Sequence, residues 1–230
     1  MQEKICLHSC CAPCSSYCLL SLSPKSEIVV YYYNPNIGSE EEYKKRAGEQ
    51  KRLIDELNAF SKLAGDPAAA RERLAFMKQG CEKLEKHPQL WDWITERLLQ
   101  ERFPIFYEQG PYDPERFYEM AAGLEDEPER GVRCQGCYGL RLSETARFAK
   151  ERGDISAFAT TLTLSPLKDA KAINRIGGSI AQSVGISYLE TDFKKQNGYL
   201  LSILLSELFG LYRQSYCGCI YSKEHQSERE

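Results

Sequence analysis

The 230-residue sequence has no apolar run of 18 residues, so nothing in it reads as a membrane-spanning helix. Its first residues, Met1-Gln2-Glu3-Lys4-Ile5-Cys6, lack the apolar core of a secretory signal, which predicts a cytoplasmic protein. Positive charge is not in excess. The 30 Lys and Arg stand against 33 Asp and Glu, a net charge of −3, which excludes a generically basic nucleic-acid coat but leaves room for a local basic patch. Repeats and low-complexity tracts are absent. Cysteine, at ten residues, falls below the roughly 8–10% that marks a disulfide scaffold. In a reducing compartment, clustered cysteines point instead to metal binding or redox chemistry.

The cysteines are not scattered. Seven of the ten fall in three short motifs: Cys10-Cys11-Ala12-Pro13-Cys14, Cys134-Gln135-Gly136-Cys137 and Cys217-Gly218-Cys219. Small spacers let neighbouring thiolates turn toward one centre without crowding. Cys6, Cys18 and Cys81 lie in apolar or helical contexts and read as small hydrophobes. Three chemistries remain open from spacing alone. A structural zinc site needs four thiols and leaves three unexplained. A thioredoxin-like dithiol needs two. An iron–sulfur cluster uses three or four, and the remainder are free to hold a second metal or form a redox pair.

Along the chain, strand and helix patterns alternate. Ile5-Cys6-Leu7 reads as a short strand, followed by a cysteine loop and a helix from about Ser15. Ile28 to Tyr33 is a buried strand, ended by Asn34-Pro35-Asn36. Ser39 to Asn58 is a helix with Ser39 as N-cap and Glu40, Glu41 and Glu42 complementing the dipole. Pro67 to about Arg102 is charged and helical with a break near His87-Pro88, and residues 61–102 form a helical insertion in a single domain spanning 1–230. Phe103 to Glu108 reads as a strand, and Asp113-Pro114 opens a helix. Leu140 to Arg152 is a helix, Ala157 to Leu162 a strand, Asp169 to Val184 a helix, Ile186 to Glu190 a strand and Gly198 to Leu211 a last helix. Alternation of this kind implies an α/β fold with a parallel sheet flanked by helices. Ligands bind such sheets at the carboxyl ends of the strands, which predicts a cysteine-rich metal site at that edge.

Taken in order, these segments resemble the QueH-type epoxyqueuosine reductases. The resemblance rests on His8-Ser9-Cys10-Cys11-Ala12-Pro13-Cys14, Tyr33-Asn34-Pro35-Asn36-Ile37, and Arg133-Cys134-Gln135-Gly136-Cys137-Tyr138 with Leu140-Arg141-Leu142. Thr160-Thr161-Leu162 with Ser165-Pro166 and Lys168, Asp192-Phe193-Lys194-Lys195, and Tyr212-Arg213-Gln214-Ser215-Tyr216-Cys217-Gly218-Cys219 complete it. It spans nearly the whole chain outside residues 61–102. It implies a Rossmann-like fold of the adenine-nucleotide α-hydrolase (HUP) type. It also implies reduction of epoxyqueuosine at the tRNA wobble position to queuosine, without cobalamin. The cofactor it implies is a [4Fe–4S] cluster with an adjacent mononuclear iron or zinc, supplied with electrons by an external donor of ferredoxin or flavodoxin type.

Removing an epoxide oxygen to leave an alkene takes two electrons and two protons and releases water. Side chains do not supply single electrons readily, so the reaction calls for a metal centre. Cys10, Cys11, Cys134 and Cys137 are assigned to the cluster, and Cys14, Cys217 and Cys219 to the second metal or a redox pair. Asp192 is the first candidate proton donor, with Tyr216 and His8 behind it. Lys168, Lys171 and Arg175, spaced three and four apart, are expected on one helix face. With Lys194, Lys195 and Arg213 they form the expected RNA-binding patch, and Tyr199, Tyr212 and Tyr216 are candidates for stacking on an unpaired base. Two other functions compete. An iron–sulfur tRNA sulfur-transfer enzyme of the same fold type would carry a glycine-rich phosphate loop after the first strand, where this chain has Ser9-Cys10-Cys11-Ala12-Pro13. A non-enzymatic zinc-stabilised RNA-binding module is the other.

Overall fold

The computed structural model describes residues 3–227, with side chains through Lys223. In chain order the elements are β1 (Lys4–His8), α1 (Ala12–Leu22), β2 (Glu27–Tyr32), α2 (Glu40–Lys62), α3 (Pro67–Lys78), α4 (Glu82–Glu85) and α5 (Pro88–Leu99). There follow β3 (Ile105–Gln109), α6 (Pro114–Ala121), α7 (Val132–Arg152), β4 (Ala157–Thr160), α8 (Ala170–Val184), β5 (Ser187–Tyr188), α9 (Gly198–Leu208) and α10 (Ile220–Ser227). Among the described residues no helix is long and apolar enough to cross a membrane.

The five strands form one sheet in the order β3-β2-β1-β4-β5, and every pairing is parallel. This is the strand order of a doubly wound α/β sheet. Its strands are buried on both faces, which is why Ile28 to Tyr32 reads as a continuous apolar run rather than an alternating one. The period of two still divides them. Ile5, Leu7, Ile28 and Val30 face a core shared with α1, α2, α5 and α9, whereas Cys6, Val29 and Tyr31 face the core under α7 and α8. A fully buried Leu, Ile or Phe contributes about 1.5–3 kcal/mol, so Leu53, Leu57 and Phe60 of α2 are enough to anchor that helix. Cys6, Cys18 and Cys81 pack in these cores.

Boundaries differ from expectation where local chemistry competes with apolar pattern. α1 starts at Ala12, not Ser15, because Pro13 sits in its first turn with its φ already suited to a helix. α7 starts at Val132, eight residues before Leu140, and so carries Cys134 and Cys137 in its first turns. The stretch expected as the end of a strand at Thr161 and Leu162 is a 3₁₀ turn, Thr161–Leu164. The Thr160 hydroxyl accepts a hydrogen bond from the Leu162 N–H and bends the chain there. The last strand shrinks to Ser187–Tyr188, and the last expected helix ends at Leu208. Gly177 lies in α8 where a Cβ would sit 2.4 Å from the Tyr188 ring, so glycine lets α8 lie close against β5.

Candidate metal and substrate site

In a doubly wound sheet the crevice opens where strand order reverses, here between β1 and β4. The loops leaving these two strands meet across it. The Cys10 N–H donates to Thr161 Oγ1 at 3.3 Å, and Cys10 Sγ lies 3.5 Å from the same oxygen. Cys10, Cys11 and Cys14 hold their sulfurs within 4.8 Å of one another, with 3.8 Å between Cys10 and Cys11. Hydrogen bonds from Cys11 and Cys14 hold Cys10 well below the usual thiol range, while Cys11, bonded to that sulfur, is pushed up to about 12. Hydrogen bonds with Cys10 and Cys11 push Cys14 well up.

A second group approaches from the other side. Cys134, Cys137, Cys217 and Cys219 line one small cavity with Tyr138 and Lys168. Two glycines allow this approach. Gly136 leaves room where a Cβ would meet Met120 Sδ at 2.4 Å, and Gly218 has φ +118° with Ile37 only 2.9 Å from a notional Cβ. The Cys217 carbonyl accepts from Arg46 at 3.1 Å, and Cys217 N–H donates to Ser222 Oγ at 3.2 Å. Burial pushes Cys137 up to about 11 and Cys219 up to about 12. Cys134 Sγ accepts from the Arg130 N–H at 3.3 Å. The expected division of the thiols paired Cys10 and Cys11 with Cys134 and Cys137. In the structure the tight group is Cys10, Cys11 and Cys14, and the two later motifs share a cavity.

One buried and one partly buried cation join the groups. Arg141 donates to Asn34 Oδ1 and to His8 Nε2 and lies beside Cys137 and Cys10. Burial works against its charge, and the neighbouring Cys137, Cys10 and Cys217 sulfurs outweigh that. Its Nη1 is buried without a hydrogen-bond partner. Lys168 is likewise disfavoured by burial yet held protonated by Cys217, Cys10 and Tyr138. A group of three thiols, a cavity lined by four more, and two cations beside Cys10, Cys14, Cys137 and Cys217 form a donor set that fits a thiolate-held metal group.

The expected proton donors are placed differently from one another. His8 is fully buried in β1, with Nδ1 at 2.9 Å from Thr160 Oγ1 and Nε2 at 3.2 Å from the Tyr33 carbonyl. Burial, reinforced by the Arg141 charge, lowers its pKa to about 3, so it is neutral and braces the strand ends. Asp192 lines a cavity of about 440 Å³ with Lys168, Lys171 and Lys194, and its Oδ1 is buried without a partner. Tyr216 lines a separate cleft of about 250 Å³ with Tyr199, Arg213, Cys10, Cys14 and Lys168. Arg213 is tied by its Nη1 to Ser206 Oγ at 2.9 Å.

The expected lysine face is broken. α8 begins at Ala170 because the Asp169 carboxylate caps it, accepting from the Lys171 and Ala172 N–H groups. Lys171 and Arg175 are exposed on the helix, whereas Lys168 precedes the cap and turns into the chamber. Lys194 donates to the Lys168 carbonyl at 2.9 Å, and Lys195 is exposed, 3.8 Å from Asp192. Tyr212 is held by Glu42, leaving Tyr199 and Tyr216 at the cleft. Asn34, Thr161 and Arg141 have structural roles that sequence alone did not single out. The available signal was an arginine set between two leucines inside a helix.

A parallel α/β sheet with Cys10, Cys11 and Cys14 grouped at its switch point, and Cys134, Cys137, Cys217 and Cys219 lining a cavity nearby, defines an α/β protein with a cysteine group that could hold a metal. The family model for epoxyqueuosine reductase QueH matches residues 5–89 and 94–225. An epoxyqueuosine reductase QueH from Staphylococcus epidermidis is 34% identical over 227 residues, covering 98% of this chain and 78% of the relative. One from Streptococcus pyogenes serotype M1 is 34% identical over 226 residues, covering 98% and 72%. One from Thermotoga maritima is 27% identical over 226 residues, covering 97% and 92%. The chain belongs to the epoxyqueuosine reductase QueH family and is by that membership an oxidoreductase.

Proposed function

We propose that this chain reduces the epoxide of epoxyqueuosine at the tRNA wobble position to the alkene of queuosine, without cobalamin and in the cytoplasm. The observation that carries the reading is the approach of Cys10, Cys14, Cys137 and Cys217 to Arg141 and Lys168 beside a cleft lined by Tyr199 and Tyr216. The whole chain acts as one Rossmann-like, HUP-type catalytic domain, with residues 61–102 as a helical insertion.

Cys10, Cys11, Cys134 and Cys137 would hold a [4Fe–4S] cluster, and Cys14, Cys217 and Cys219 an adjacent mononuclear iron or zinc or a redox-active pair. Arg141, beside both Cys10 and Cys137, supports placing those two thiols on one group. Held by these thiols, such a metal centre would supply single electrons, which an external donor of ferredoxin or flavodoxin type would deliver. The balance is epoxide plus two electrons and two protons giving alkene plus water. Asp192 faces a cavity with an unpaired oxygen and can hold and pass a proton there, and Tyr216 offers a hydroxyl at the cleft. Lys171 and Lys194 line the Asp192 cavity and Arg213 the Tyr216 cleft; with the exposed Arg175 and Lys195 they would hold phosphates, while Tyr199 and Tyr216 would stack on the extruded base.

Seven single Cys→Ser variants, assayed anaerobically for iron, sulfide and conversion, test the assignment. Loss of iron on changing Cys10, Cys11, Cys134 or Cys137 is expected. Full iron retention in all seven would sink the metal reading.

A further inference from the structure

Lys168 occupies a position that an RNA-facing lysine would not. It lies before the cap of α8, partly buried, and lines all three openings of the site: the four-cysteine cavity, the Asp192 cavity and the Tyr216 cleft. Cys217, Cys10, Tyr138 and Cys14 act on its ammonium, and Glu129 and Asp192 line the same openings. The nearest acid in sequence, Asp169, is committed to capping α8.

Its backbone is held from three directions. The Lys168 N–H donates to the Ser165 carbonyl at 3.2 Å, closing a turn. Lys194 Nζ donates to the Lys168 carbonyl at 2.9 Å. Arg130 grips the preceding residues, with Nε donating to the Leu167 carbonyl at 2.9 Å and Nη2 to the Pro166 carbonyl at 3.1 Å. Arg130 itself has φ +75°, an αL conformation costly for a side-chain-bearing residue, and in that conformation its N–H points at Cys134 Sγ. Two cationic side chains, one of them on the strained Arg130, therefore fix the turn that presents one further cation. Such an outlay suits a preorganised donor rather than a flexible phosphate contact.

We propose that Lys168 is a catalytic residue, a fixed ammonium that donates a hydrogen bond to the epoxide oxygen, and not part of the RNA interface. This rests on the function proposed above. As each C–O bond breaks, negative charge gathers on the oxygen. The ammonium stabilises that charge, two electrons arrive from the external donor, and the oxygen leaves as water after taking up two protons. Lys168 keeps its own proton throughout. Asp192, on the same cavity, is the group that relays protons.

The test compares Lys168→Met and Lys168→Gln with wild type, each carrying wild-type iron. Three quantities are read: the single-turnover rate at saturating epoxyqueuosine-containing tRNA, the tRNA Kd from low to high salt, and the midpoint potential of the metal centre. Removing one preorganised donor is expected to slow the rate about 100-fold or more. The Kd should stay within about twofold of wild type and its salt dependence should be unchanged, because no phosphate contact is lost. The midpoint potential should fall, because a positive charge has left the thiolates. Partial recovery is expected in Lys168→Arg, which a packing role would not give. A weaker Kd with a flatter salt dependence, or a wild-type rate in Lys168→Gln, overturns the proposal. Wild-type protein that fails to convert the tRNA overturns the functional reading itself, whereas conversion by wild type and Lys168→Gln alike overturns only the role of Lys168.

Discussion

Cys10 and Thr161 meet across the switch point of the sheet, with the Cys10 N–H at 3.3 Å and its sulfur at 3.5 Å from the same hydroxyl oxygen. One residue follows β1 and the other follows β4, so this contact ties together the two loops that open the crevice. Thr161→Val keeps the shape and removes the oxygen. A loss of about 0.5–1.5 kcal/mol in unfolding free energy is expected, read from the shift of a urea midpoint. Iron content should fall further than that small loss of stability explains. Unchanged iron binding would show that the tie does not organise the thiols.

Gly218 is the second point at which backbone shape governs the site. Its φ of +118° and the close approach of Ile37 leave no place for a Cβ. Gly218→Ala should destabilise the protein by about 1–3 kcal/mol. It should also displace Cys217 and Cys219, so iron or zinc retention and the melting temperature are expected to fall together.

Away from the site, Glu144 sets part of the acid limit of stability. Although burial opposes its charge, hydrogen bonds from Arg147 and Arg116 hold its carboxyl below the usual range. A depressed carboxyl contributes stability above its unfolded pKa of about 4.3 and loses it as pH falls through the lower folded value. Glu144→Gln is therefore expected to be less stable than wild type by about 1–2 kcal/mol above roughly pH 5. The difference should shrink steadily as pH falls below about 4, measured by denaturant melts at a series of pH values. A gap that widens in acid would contradict the assigned sign.

The exposed cations make a prediction that separates them from those in the chamber. Lys171, Arg175 and Lys195 face solvent. Replacing any one by Glu should weaken tRNA binding, most at low salt, and flatten the plot of log affinity against log salt by about one phosphate contact. Equal weakening at low and high salt would argue against phosphate recognition.

Asp192 carries a buried oxygen without a partner in a cavity flanked by lysines. Asp192→Asn preserves its size and removes its capacity to relay a proton. Turnover is expected to fall about 100-fold, within the range typical of general acid–base contributions, with tRNA affinity little changed. Intact turnover between pH 5 and 9 would end this role.

Much of the fold was legible because its strands are short β-branched and aromatic runs bounded by turn residues, as at Ile28 to Tyr33 and Asn34-Pro35. The cysteine loop after β1 was legible for the same reason. The start of α7 was not. Gly136 and Gly139 lower helix propensity, and the close packing of Cys137 against Phe117 and Cys219 compensates only in three dimensions. The bond from Arg141 to Asn34 spans 107 positions, and no periodicity announces it. Lys168 was placed on a helix face by spacing, but Asp169 caps the helix one residue later and turns the lysine inward. α10 was missed because Ile220 to Ser227 has little apolar pattern.

The most direct test of the central claim is anaerobic incubation of metal-reconstituted protein with tRNA containing epoxyqueuosine and a low-potential one-electron reductant, followed by mass analysis of the nucleosides. The account predicts loss of one oxygen from the modified nucleoside and accumulation of queuosine, without added cobalamin. Epoxyqueuosine remaining unchanged beside an intact, reduced metal centre would contradict it.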